Sequence, residues 1–135
     1  MCVEEKKNVL KMILEEFGHI KIPTRMTPLI EYEDKERKQI ERHFQGMHRD
    51  MMSSYDVSMM LIDSALILPK SLLHYLPRLV NDVFYKGADI YFLNYIIGDL
   101  MKIESLTYSQ QQALLQLKSL VLYLEKKFDE EGEIL

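Results

Sequence analysis

Residues 66–100, LILPKSLLHYLPRLVNDVFYKGADIYFLNYIIGDL, restrict the possible folds more than any other part of the chain. Pro69 suits the first turn of a helix, where a missing amide proton has no intrahelical partner to lose. Pro77 lacks that proton too and disfavours the α conformation at Leu76, so the spacing predicts a kink or break there. Leu72, Leu73, Leu76, Leu79, Val80 and Val83 recur at helical intervals. Gly87 then ends the element, and Asp89 is placed to cap a further helix over 90–103. The window from Ile90 to Ile97 is the most apolar in the chain and demands burial on most sides. It is too short to span a bilayer, which takes about 20 apolar residues.

The flanks repeat the helical pattern. Over 4–17, Val9, Leu10, Met12, Ile13, Leu14 and Phe17 form an apolar stripe opposite Glu5, Lys6, Lys7, Lys11, Glu15 and Glu16. Gly18 is expected to stop that helix with a positive φ. Pro23 and Pro28 make 19–29 an extended connector. Residues 33–44 form a charged outer helix whose narrow apolar edge is Ile40 and Phe44, with Gly46 as its stop. Residues 47–54 read as a loop with a turn. Ser54 or Asp56 is expected to cap a helix through Val57, Met59, Met60, Ile62 and Leu66. Thr107 and Gln110 have capping-box spacing. The helix they open should run to about Asp129, with Leu114, Leu117, Val121, Leu124 and Phe128 facing the core.

The predicted architecture is therefore all-α: one domain over 1–135, a compact bundle of five to seven helices with a proline-marked break near Pro77. The acidic tail over 129–135 is expected to fray. Five glycines and four prolines among 135 residues agree with a helical chain. A formal net charge of -4 argues against a nucleic-acid partner, which usually requires a basic face. The one cysteine, Cys2, excludes an internal disulfide framework and suits a reducing compartment. With no signal-like apolar run at the start, the expected location is cytoplasmic, with no membrane partner.

Catalytic chemistry finds little support. His43 and His48 do not share a helix face, no H-E-x-x-H occurs, and no phosphate-binding glycine loop or G-x-S-x-G turn is present. No metal or cofactor is expected, and the chain reads as a non-enzyme. Met47, Met51, Met52, Met59 and Met60 could form an adaptable surface, but filling gaps in a helical core is the expected role. Tyr75, Tyr85, Tyr91 and Tyr95 suit either an interface or a core rim equally well.

The charged helix closing in Phe44-Gln45-Gly46, the segment PKSLLHYLP over 69–77 and the Leu106-Thr107-Tyr108-Ser109-Gln110 helix start together resemble a small bacterial family. The family pattern has a hydroxyl residue before the first proline, where Leu68 stands here. The resemblance implies an all-helical fold and brings no catalytic residues. Small acidic helical proteins of this kind include the immunity proteins of bacterial toxin systems. The expected partner is thus a cognate protein toxin, a nuclease, masked by an acidic surface that would steer and select a basic partner. Glu33, Asp34, Glu36, Tyr55, Asp129, Glu130 and Glu131 are the expected contact residues. A homodimeric regulatory or scaffold module without catalytic activity, joined through the Tyr- and Leu-rich central helices, is the alternative.

Overall fold

A computed structural model describes residues 2–29 and 34–134, with 132–134 described by their backbone alone. All regular structure among them is helical. The order is α1 (Cys2–Phe17), α2 (Lys35–Phe44), α3 (Ser54–Asp63), α4 (Pro69–Leu72), α5 (Leu76–Tyr85), α6 (Ile90–Leu100) and α7 (Tyr108–Ile134). Short 3-10 turns at Arg49–Met51 and Ser64–Leu66 flank α3. The described residues thus form a single all-helical domain of seven helices, broken where the proline pattern requires. Pro69 and Pro77 both stand in first turns, and the backbone between them makes tight turns instead of a continuous helix.

Most helix ends follow from local chemistry. Asp89 caps α6 by accepting from Tyr91 N at 2.9 Å and Phe92 N at 3.2 Å. At the start of α7, Gln110 N donates to Thr107 Oγ1 and Thr107 N donates to Gln110 Oε1, both at 3.0 Å. That reciprocal pair is the expected capping box. Gly46 and Gly87 take φ of 74° and 73° after α2 and α5, a region costly for residues with a Cβ.

Four helix ends differ from expectation. Gly18 does follow α1, but without a positive φ. Its amide still donates to Leu14 O at 2.8 Å, and a Cβ there would sit 2.3 Å from that oxygen. Close approach, and not left-handed backbone, selects glycine. The cap of α3 is Ser53, not Ser54 or Asp56; Asp56 is its capping-box partner, accepting from Ser53 N at 2.9 Å. Helix α6 ends at Leu100 and leaves Ile103 in a turn, while α7 continues past Asp129 to Ile134.

Helix α1 lies between α5 and α7 and runs antiparallel to both. Gln110 Nε2 donates to Glu16 O at 3.1 Å, while Cys2 and Tyr123 border the same groove. On the other side, Lys6 Nζ reaches Phe84 O, and Arg49 joins Gly18 O to His74 O. The core contains Ile13, Phe17, Tyr75, Leu76, Leu79, Leu93, Ile97, Leu114 and Val121, all fully buried. Of the five clustered methionines, Met52 and Met60 are buried, Met47 and Met59 are half-buried against the core and Met51 is exposed; Met26 is buried as well.

The extended connector after α1 is strapped down at several points. Leu68 N donates to Met26 O at 2.8 Å, and Ser71 Oγ donates to Arg25 O. A single oxygen of Glu41, on α2, accepts from Met26 N, Thr27 N and Thr27 Oγ1 at 2.7–2.9 Å. Charge-assisted bonds of this kind are roughly twice as strong as neutral ones.

Candidate partner-binding groove

Helix α7 is longer than the bundle it packs on. At about 1.5 Å per residue it extends well beyond the ends of its neighbours. Its core-facing stripe runs through Leu114, Leu117 and Val121, all at 0% exposure. Leu124 is then half-buried, and Phe128 is 61% exposed. The stripe read from the sequence is real, but its last member is left mostly uncovered. Phe128 makes an edge-to-face contact with the Tyr91 ring of α6, at a centroid distance of 6.1 Å and 77° between planes.

The space beneath this overhang is an open groove of about 940 Å³. Its walls are the N-terminal turns of α1 (Cys2, Lys6), the exposed side of α3 (Ser58, Ile62), the start of α6 (Ile90, Phe92) and α7 itself. Ile62, one of the apolar residues through which α3 was expected to run, is 62% exposed here. A second, shallower groove of about 540 Å³ shares Cys2 and Tyr123 with it and continues between α1 and α7 along Leu115 and Leu120. Leu115 and Tyr123, which line it, are exposed, so the apolar surface continues along α7. Patches of this extent on a soluble chain generally mark interaction surfaces.

The charged residues expected to bind a partner divide between two places. Asp34 caps α2, accepting from Glu36 N and Arg37 N, and pairs with Arg37 Nε at 3.2 Å. Its carboxylate is therefore used within the chain. Glu36 is exposed and borders a cleft with Asp63 between α2 and α3. Tyr55 is 70% exposed at the start of α3. Asp129, Glu130 and Glu131 are exposed on the overhang, with Glu131 lining the main groove. Tyr91 Oη donates to Asp129, and that bond holds the phenol up to about 12. Glu33 lies outside the described residues. Helix α3 thus separates an acidic site beside α2 from another at the end of α7. Of the central tyrosines, Tyr75 is buried while Tyr85 and Tyr95 are exposed.

Sequence reasoning missed the polar centre of the molecule. His74 is 2% exposed; its Nδ1 donates to Ile20 O at 2.7 Å and its Nε2 accepts from Arg49 N at 3.2 Å. One nitrogen donates and the other accepts, which is the neutral tautomer. Burial holds its pKa below the ordinary 6.5; the Arg49 and His48 charges push the same way, against the Ile20 bond. Arg49 Nη1 and Nη2 donate to His74 O and Gly18 O at 3.0 and 2.8 Å. Arg78 extends the network, donating to Arg49 O and to the buried Asp82. A lone histidine between Leu73 and Tyr75 carries no sequence signal for this role. Arg78 and Asp82, an i,i+4 pair on a predicted helix, did carry one.

His43 Nε2 lies 2.7 Å from Asp56 Oδ1 across α2 and α3. The Ser53 amide bond lowers the Asp56 pKa below 3.8, with His43 assisting and burial opposing. This pair joins two helices. Among the described residues, no three His, Cys, Asp or Glu side chains gather as a metal site would require. No helix among them is long and apolar enough to cross a membrane.

These two groups give the stability a defined pH dependence. Between the depressed folded pKa of His74 and 6.5, the unfolded chain binds a proton that the native state refuses. Stability therefore rises with pH through that window and falls on acidification below about 6.5. Asp56 adds a second loss as pH drops through 3.8 toward its own folded value. Urea midpoints measured from pH 8 to pH 3 should show both declines, and His74→Gln should remove the upper one alone. A flat profile from pH 7 to pH 5 in the unaltered protein would contradict the buried neutral imidazole.

No protein-family model matches this sequence, and no curated protein or solved structure matches it.

Proposed function

We propose that this chain is a non-catalytic binding protein of the toxin-immunity kind, which neutralises a bacterial protein toxin, a nuclease, by covering its active site or a required surface. The observation that carries the reading is the apolar groove beneath the α7 overhang, with exposed Ile62 and Phe128 at its walls and acidic residues at its mouth. Protein recognition commonly combines such parts, with an apolar centre for affinity and a charged rim for encounter and selection. Small size, a net charge of -4 and the helical build support the toxin-directed form of this reading.

The test is to mix the purified chain with the product of the adjacent gene. The expected result is a stoichiometric complex that survives gel filtration and abolishes the nuclease activity of that product. No complex at micromolar concentrations, or a complex that leaves the activity intact, contradicts the toxin-immunity reading.

A further inference from the structure

We propose that the groove beneath the α7 overhang receives an amphipathic helix with a basic rim, presented by the partner protein; the inference rests on the binding reading above and names its docking element. The groove is the position where one more helix would complete the bundle. The stripe of α7 runs out over it, and α3 and the start of α6 turn Ile62, Ile90 and Phe92 toward the same space. The amount of exposed surface agrees. A compact monomer of 16.0 kDa exposes about 7,400 Å². This chain exposes 8466 Å². The surplus is similar to the roughly 800 Å² that each partner buries in a stable interface.

Charge selects the occupant. Two lysines line the groove, and both are engaged within the chain. Lys6 Nζ donates to Phe84 O at 3.4 Å, and Lys127 Nζ lies 5.8 Å from the centre of the Tyr123 ring. The lining acids, Asp89 and Glu131, balance these lysines, and the acidic excess lies on the overhang itself, where residues 125–131 carry four acids against Lys126 and Lys127. A helix with lysines or arginines flanking its apolar face would meet this rim favourably. A second copy of the chain docking through the same overhang would instead bring one acidic end against another. Helix-in-groove recognition supplies the geometry, with apolar anchors spaced at i, i+3, i+4 and i+7.

Cys2 supplies a built-in reporter, because it is the only cysteine in the chain and it lines the groove. An amphipathic Leu/Lys helical peptide should slow the reaction of Cys2 with a thiol reagent, and a Leu/Glu peptide of equal length should not. Phe128→Glu and Ile62→Glu alter exposed positions and should each weaken Leu/Lys binding roughly tenfold or more. Added salt should weaken it further. Equal protection by both peptides, or protection by neither, overturns the proposal. So does a homodimer in sedimentation that Phe128→Glu dissolves, since the occupant would then be a second copy. A toxin complex untouched by Phe128→Glu removes this docking site but leaves the immunity reading standing. Peptide binding without any toxin complex does the reverse.

Discussion

Replacing Asp82 with alanine should destabilise the protein by about 3–5 kcal/mol, the usual cost of breaking a buried ion pair from one side. Asp82 is 1% exposed and accepts from Arg78 Nε and Asn81 Nδ2, both at 3.1 Å. The Arg78 side chain is itself only 15% exposed, so the substitution would leave a cation poorly solvated. The expected fall in melting temperature is roughly 10–20 °C for a domain of this size. The pair need not be stabilising in net terms, because Asp82 Oδ2 is buried with no hydrogen-bond partner. The double variant Asp82→Leu with Arg78→Met should therefore recover most of the loss, as apolar replacement of buried pairs often does. Thermal unfolding of the two single variants and the double variant measures the coupling. A double variant as unstable as the sum of its singles would show that the two side chains act independently.

Tyr75 should give the second large effect, in two distinct steps. Its ring is fully buried, stacked edge-on against His74 at 4.8 Å, and its hydroxyl donates to Met47 O at 2.8 Å. Burial pushes the phenol pKa up to about 12, so the hydroxyl keeps its proton throughout the physiological range. Tyr75→Phe removes the hydroxyl and leaves one carbonyl short of a donor, at a cost of about 1–2 kcal/mol. Tyr75→Ala also opens a ring-sized cavity in the core beside His74, for about 3–5 kcal/mol in total. Denaturant midpoints at constant m-value separate the two steps. Equal losses for both variants would mean that the hydroxyl, and not the ring, holds the turn against the core.

What could be read in the sequence was the part governed by short-range chemistry. Asp89, Thr107 with Gln110, Pro69 and Pro77 act on amides a few residues away, and each does what its spacing implies. Gly18 and Ser53 show the limit of that reading. A glycine after a helix can serve close approach as readily as left-handed backbone, and adjacent serines compete for one cap by a single residue of register. The groove was less legible, because periodicity identifies an apolar stripe but cannot say where the neighbouring helices end. Phe128 lies on the same stripe as Val121, yet only Val121 is covered by the core. The His74–Arg49 hub was not legible at all, since its partners Ile20 and Gly18 are distant in sequence and bond through backbone oxygens.

The clasp of Glu41 on the connector couples the behaviour of two segments. Helix α2 is anchored inward chiefly by Ile40 and Phe44, by the His43–Asp56 bond and by that single carboxylate oxygen. Elements with few internal anchors open at lower free energy than the global transition and carry their tethered neighbours with them. Release of α2 would strip three acceptor bonds from residues 26 and 27 at once. The strap would then be held by the Leu68–Met26, Ser71–Arg25 and His74–Ile20 bonds, so loosening of the outer helix is felt directly at the strap.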